Sequence, residues 1–228
     1  MSFIPNGHSD STRERLLLAA AVIFDSQGFG QARLDDICQA IGVTKGALYC
    51  HFPSKDALAL ALLERRMAAW HRQSGGLRTH RPDDVHRLQN LIDLSYAALL
   101  DLRHDPVARA AHRVLFQDRV FDLVGGMHMI SCVTLVHDLL DEANQRGELR
   151  REVDLREAAE GIMAAALGVQ TMSRATSDYE DLPERLEAMW RVWIPHLAVP
   201  SCRAALRLAP QRGTSVPAVA LSAGGDAG

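Results

Sequence analysis

The sequence predicts an all-α fold. Aromatic residues make up only 5% of the chain although 47% of it is hydrophobic. The apolar content rests on abundant alanine and leucine, which favour helix over strand. No strand-length run of β-branched residues occurs. Apolar residues instead recur three and four apart, the spacing of one helix face. With 228 residues the chain can bury a full core in one or two domains.

Residues 1–9 read as a flexible lead. Asp10, Ser11 or Thr12 can cap the first long helix, and Glu14 suits its first turn. Leu17, Ala20, Ala21 and Phe24 form its inward stripe, and Gly28 stops it. Gly28-Phe29-Gly30 is not a phosphate-binding loop, because no strand precedes it and position 33 is Arg rather than Gly. Phe29 is the expected plug of a three-helix core.

The run LDDICQAIGVTKGALYCHFPSK, Leu34 to Lys55, reads as two short helices across a tight turn. Ile37 and Ile41 lie four apart and face one way. Gly42 tolerates the backbone angles of a turn. Thr44 caps the second helix, Lys45 to about His51. Phe52-Pro53 ends it. Such a pair is a helix-turn-helix, whose second helix enters a DNA major groove. Gly46 and Ala47 are small where a backbone must approach DNA. Lys45 supplies a cation, and Tyr49 and His51 supply polar tips. Leu48 and Phe52 point inward.

The run GVTKGALYCHFPSKDALA, extended back through RERLLLAAAVIFDSQGFGQARLDDI, resembles the DNA-binding core of the tetracycline-repressor family of bacterial regulators. VTKGALYxHFxSKxxLA and the later RLEAMW at Arg185–Trp190 narrow the likeness to its gamma-butyrolactone autoregulator receptors. The strong match covers Thr12 to Leu63; beyond it the likeness is one of helical layout. It implies a helix-turn-helix domain at 10–54, then a larger ligand-binding and dimerisation domain at 55–208. Double-stranded operator DNA would meet Thr44, Lys45, Gly46, Ala47, Tyr49 and His51, with Arg33 and Lys55 at its backbone. Arg33 departs from the family, which usually places a capping Thr or Ser there.

Ser54 is the expected cap of a fourth helix, 55–73, that links the domains; Ser74-Gly75-Gly76 opens a loop to Pro82. Asp83 begins a helix to His104. Asp105-Pro106 begins another, with a capping Asp and proline at the first helical position. Gly125-Gly126 marks a loop or a loosened helix start; a helix follows from about Met127 to Arg146, and Gly147 ends it. Asp154 caps the next, to about residue 175, with Ala158, Ile162, Ala165, Val169 and Met172 as its stripe. The last long helix is Leu182 to Leu197, with a short one near Cys202–Leu208. The tail 209–228, rich in Gly, Ala, Ser and Pro, reads as disordered.

Small residues on the helix after Asp154 and large ones on the last long helix point to a homodimer interface at Ala158, Ile162, Ala165, Met189, Trp190 and Trp193; the alternative is packing within one chain. The helices between would enclose a cavity for a small-molecule inducer, lined by Tyr96, Phe116, Met127, Ile130, Ser131, Thr134 and Gln170. Butyrolactone receptors carry a tryptophan on the middle pocket helix. Here tryptophan occurs only at 70, 190 and 193, and Ser131 or a neighbour stands at that place. The inducer is then a butyrolactone-type signal, or an antibiotic or its intermediate.

Residues 1–81 hold ten Lys/Arg against seven Asp/Glu, and the remainder fifteen against twenty-one. The basic excess has the sign a DNA binder needs but is small, so specificity must come from shape and two half-sites. No apolar stretch reaches membrane-spanning length, and the N-terminus lacks a signal-peptide pattern. Cys38, Cys50, Cys132 and Cys202 lack C-x-x-C spacing, which favours a reducing cytoplasm over disulfides or structural zinc. His104, His112, His128 and His137 have no metal-ligand spacing. No nucleophile elbow or cofactor loop is present, so neither an enzyme nor a cofactor is expected. The alternatives to a biosynthetic repressor are an efflux-pump repressor and a ligand-binding protein with vestigial DNA binding.

Overall fold

The computed structural model describes residues 7–79, 86–117 and 122–210. Among these the chain is helical, with a single β-bridge between Leu149 and Ala198. In chain order the helices are α1 (Gly7–Gln27), α2 (Leu34–Ile41), α3 (Lys45–His51), α4 (Lys55–Thr79) and α5 (Arg87–Leu99). A 3-10 turn, Leu100–Arg103, leads to α6 (Pro106–Gln117), α7 (Asp122–Gln145), α8 (Leu155–Ser177), α9 (Leu182–Leu197) and α10 (Pro200–Arg203). The chain packs as two compact units. One joins residues 1–74 with 101–138; the other joins 75–100 with 139–228.

The core of the first unit is the apolar stripe of α1 closed by four other helices. Leu16, Ala20 and Phe24 from α1 pack with Ile37, Leu48, Leu58, Leu62 and Val114, all fully buried. Phe29 plugs this core edge-on to Phe24, ring centres 5.3 Å apart. Gly28 ends α1 at φ +84°, a left-handed angle that favours glycine. Helix α6 grips the end of α1: Arg109 Nε donates to Asp25 Oδ2 at 2.6 Å, and the Arg113 guanidinium donates to the Asp25 carbonyl.

The second unit is built on α8 and α9. Trp190 is fully buried, and its indole N–H donates to Ser95 Oγ at 2.8 Å. The Asp181 carboxylate accepts from Ser173, Ser177 and Arg185 at 2.6–2.7 Å. It thereby secures the turn from α8 into α9 and is held down to about pKa 2, first by the two serine hydroxyls. Gln89 pairs with both backbone groups of Arg207, which fixes the end of the chain's described part to α5.

Several boundaries differ from expectation. Helix α1 begins at Gly7, so Asp10, Ser11 and Thr12 lie inside it and none is its cap. Helix α4 runs through Ser74-Gly75-Gly76 to Thr79. A glycine in a helix costs only about 1 kcal/mol against alanine, and extending an existing helix adds a hydrogen bond per residue. Asp83, the expected start of the next helix, lies outside the described residues; α5 is described from Arg87 and tightens to 3-10 at Leu100. Gly125 and Gly126 are inside α7. A Cβ on Gly125 would stand 2.7 Å from the Leu115 carbonyl oxygen, so the glycine allows the backbones of α6 and α7 to touch. Helix α10 is shorter and earlier than expected. Of the expected lead and tail, residues 1–6 and 211–228 lie outside the described residues.

Candidate nucleic-acid interface

Helices α2 and α3 are joined through Gly42, which sits at φ 69°, ψ 38° and ties its N–H to the end of α2. Val43 N–H bonds back to Cys38 O at 3.0 Å. Thr44 Oγ1 accepts from Ala47 N–H at 3.2 Å, the cap expected for α3. Leu48 and Phe52 are buried and anchor the helix. Thr44, Lys45, Gly46 and Tyr49 are exposed, with Ala47 and His51 half-buried. All six expected reading residues therefore share one short segment whose outer side is open.

Gly46 stands out within that segment. A Cβ there would meet only Thr44 Oγ1, at 3.8 Å, an ordinary contact. The fold would accept a larger residue, so packing does not explain a helix-weakening glycine. Lys45 Nζ is 2.6 Å from Asp35 Oδ1, both side chains 60% exposed. The carboxylate keeps the ammonium charged, and an exposed pair of this kind is weak enough for another anion to displace.

Around this pair the chain supplies supports. Arg15 donates to Ile41 O at 2.8 Å and steadies the end of α2. Arg13 lies over the Phe52 ring at 4.9 Å. Arg33 is exposed and extended, and its side chain makes no capping bond to α2. Lys55 corrects the sequence expectation. Its ammonium donates to the carbonyls of Phe29, Gly30 and Ala32 at 2.8, 3.2 and 3.1 Å and lies 4.6 Å from the Phe29 ring centre. An ammonium has three donors, and all three are spent inside the fold. Lys55 clamps the loop before α2 rather than facing outward. Sequence spacing carries no signal for that, since the partners are backbone oxygens.

The expected pocket residues are not drawn together within either unit. Tyr96 and Gln170 are buried in the second. The Tyr96 hydroxyl donates to Leu208 O at 2.7 Å, and burial, reinforced by Glu187 and Glu184, raises its pKa. Met127, Ile130, Ser131 and Thr134 belong to the first unit and are exposed, Ile130 at 69%. The Thr134 hydroxyl returns to the Ile130 carbonyl of its own helix. The Phe116 side chain lies outside the described residues.

The expected interface residues divide as well. Trp190 belongs to the core of its own chain and cannot also meet a second one, which corrects that expectation. Ala158, Ile162 and Met189 are also largely buried. A Cβ on Gly161 would strike the Trp193 ring at 2.5 Å, so the small residues of α8 receive a tryptophan of the same chain. What remains open is an apolar groove of about 390 Å³ between α8 and α9, lined by Ala165, Val169, Met172, Ala188, Val192 and Trp193 among others. Val192 is 65% and Met172 57% exposed. Met172 shares the expected stripe with Ala158 and Ile162 but is exposed where they are buried.

Residues 16–62 match the family of bacterial regulatory proteins called tetR. The A-factor receptor protein of Streptomyces griseus is 33% identical over 183 residues, 80% of this chain. The match spans 62% of that receptor's length. Full-length TylP, a TetR regulator from Streptomyces fradiae, is 31% identical with a TM-score of 0.66, over 87% of this chain and 92% of its own. CprB from Streptomyces coelicolor, solved with its biological operator sequence, is 26% identical with a TM-score of 0.71, over 86% and 93%.

Proposed function

Because this chain belongs to the tetR family of bacterial regulatory proteins, we propose that it is a ligand-released repressor that binds a palindromic operator as a dimer. The observation that carries the reading is the open side of α3, where Gly46 weakens a helix whose packing does not require it. Thr44, Lys45, Gly46, Ala47, Tyr49 and His51 meet the major groove, and Arg33 reaches a phosphate. Lys55 serves by holding the loop that carries Arg33. Residues 10–54 are the reading domain, and 55–208 bind the inducer and the second chain. The apolar α8–α9 groove meets its counterpart in that chain. Two reading helices about 34–36 Å apart then match one turn of DNA.

The inducer is a small lipophilic molecule of the gamma-butyrolactone class, or an antibiotic, and the controlled genes are those of secondary metabolism. The likeness to the A-factor receptor protein and to a gamma-butyrolactone receptor supports this. Inducer binding shifts α4, which separates the reading helices. The inducer must favour the separated state by a few kcal/mol, roughly 5.5 for a complete reversal of a hundredfold bias. No described helix is long and apolar enough to cross a membrane, and the site of action is the cytoplasm, where the DNA lies.

Selection of source-genome fragments by the purified protein at two salt concentrations tests the reading. A palindrome retained at the higher salt is expected, with Lys45→Ala and Tyr49→Ala each weakening it. Diffuse binding that disappears with salt, or unchanged affinity in both variants, would reject it.

A further inference from the structure

Three side chains distant in sequence meet at the start of α5. His86 precedes that helix, Glu148 follows α7, and Cys202 lies in α10. One imidazole nitrogen, one carboxylate oxygen and the sulfur all lie within 4.8 Å of one another. His86 Nδ1 is 3.5 Å from Glu148 Oε1. Glu148 is 4% and Cys202 2% exposed, while His86 is half-buried and leaves an approach from solvent. The backbone around the cluster is already braced, since Val199 N–H donates to Glu148 O at 2.9 Å.

Glu148 has a structural task. Its two oxygens accept from the N–H groups of Arg87 and Leu88 at 2.9 and 3.0 Å, closing the first turn of α5. A helix start carries only about half a positive charge. The Arg87 guanidinium is directed to Glu142, at 3.4 Å. A buried carboxylate is thus offset in part, with a second lone pair on each oxygen and a thiol and an imidazole beside it. A capping role explains the carboxylate but not the company of both other ligand types.

We propose that His86, Glu148 and Cys202 form a binding site for a zinc-class divalent ion, with water as the fourth ligand on the His86 side. Imidazole, carboxylate and thiolate together suit zinc or cobalt(II) rather than calcium or magnesium, which take oxygen. On binding, the Cys202 S–H bond breaks, a metal–sulfur bond forms and the proton passes to solvent. One dication with one carboxylate, one thiolate and a neutral imidazole is a net neutral group, the charge state a buried site tolerates. Metal bonds of about 2.0–2.3 Å place tetrahedral ligands roughly 3.3–3.8 Å apart. Closing the cluster from its widest separation of 4.8 Å therefore asks for about 1 Å of movement. The ion would fasten the start of α5, the turn after α7 and α10 to one another.

The test uses the full chain, stripped with chelator and titrated with zinc and with cobalt(II). One ion per chain is expected, with a thiolate-to-cobalt charge-transfer band and a raised thermal midpoint. Cys202→Ser keeps the carboxylate cap of α5 intact, so it should fold; it should lose the band and weaken zinc binding by more than roughly tenfold, the scale of even outer-shell losses. His86→Gln should weaken zinc binding on the same scale. Failure of the wild type to retain zinc at micromolar concentration, or a band that survives in Cys202→Ser, would overturn the proposal. So would equal zinc binding in all three proteins, which places the ion elsewhere. Operator binding measured on the same variants separates this outcome from that of the repressor reading.

Discussion

Gly46 and Asp35 can be tested by changes whose effects on fold and on DNA run in opposite directions. Gly46→Ala meets no close neighbour and removes a glycine from a helix, so it should stabilise the protein by about 0.5–1 kcal/mol. The added methyl would stand between α3 and DNA, so operator affinity should fall at least several-fold in a binding titration. A variant that is more stable and binds equally well would remove Gly46 from the interface. Asp35 holds Lys45 at 2.6 Å and sets a negative charge beside the expected phosphates. Asp35→Asn should raise affinity for non-specific DNA and steepen its salt dependence by about one counterion, narrowing the gap between operator and other sequences. An unchanged salt slope would show that Lys45 takes no part. Lys45 is legible in the sequence as an interface candidate, but its pairing with Asp35 is not. Asp35 and Lys45 stand on different helices, and only the turn at Gly42 decides that they meet.

Helices were read well where local chemistry alone sets them. Thr44, Ser54 and Asp154 cap as their types require, and Gly28, Gly42 and Gly147 end helices with positive φ. Gly125 and Gly126, expected as a loop or a loosened helix start, lie in the first turns of α7, and sequence does not tell a glycine that serves contact between helices from one that only loosens a helix. The two positions make a controlled pair. Gly125→Ala drives a Cβ to 2.7 Å from a backbone oxygen of Leu115. Neither atom is at the end of a flexible side chain, so α6 and α7 must separate, at a cost of about 1–3 kcal/mol. Gly126 has no neighbour within 4 Å of its Cβ position, so Gly126→Ala should stabilise by about 0.5–1 kcal/mol. Urea midpoints of the two variants check this; shifts of the same sign would mean that α7 does not pack through Gly125.

At the scale of the whole molecule, sequence located α8 and α9 but not the side of them that is open. Trp190 and Met189 are large and apolar, as an interface needs, and equally what a core needs. Periodicity cannot separate the two when both faces of a helix are covered by apolar residues. The structure separates them by burial. Trp190 is fully enclosed and holds Ser95, so Trp190→Ala should cost about 3–5 kcal/mol of stability in the single chain. Met172 and Val192 protrude from the same helix pair at 57% and 65% exposure and contribute little to that core. The double change Met172→Glu, Val192→Glu should therefore keep the helical signal and thermal midpoint near wild type. In a two-fold dimer each change occurs twice, and every new carboxylate would face a largely apolar groove whose lining arginine, Arg185, is already paired with Asp181. Sedimentation should show monomers, and operator affinity should fall towards that of one reading helix, because the second half-site no longer arrives on the same particle. A dimer that persists with full operator affinity would move the interface off the α8–α9 groove while leaving the reading role of α3 untouched.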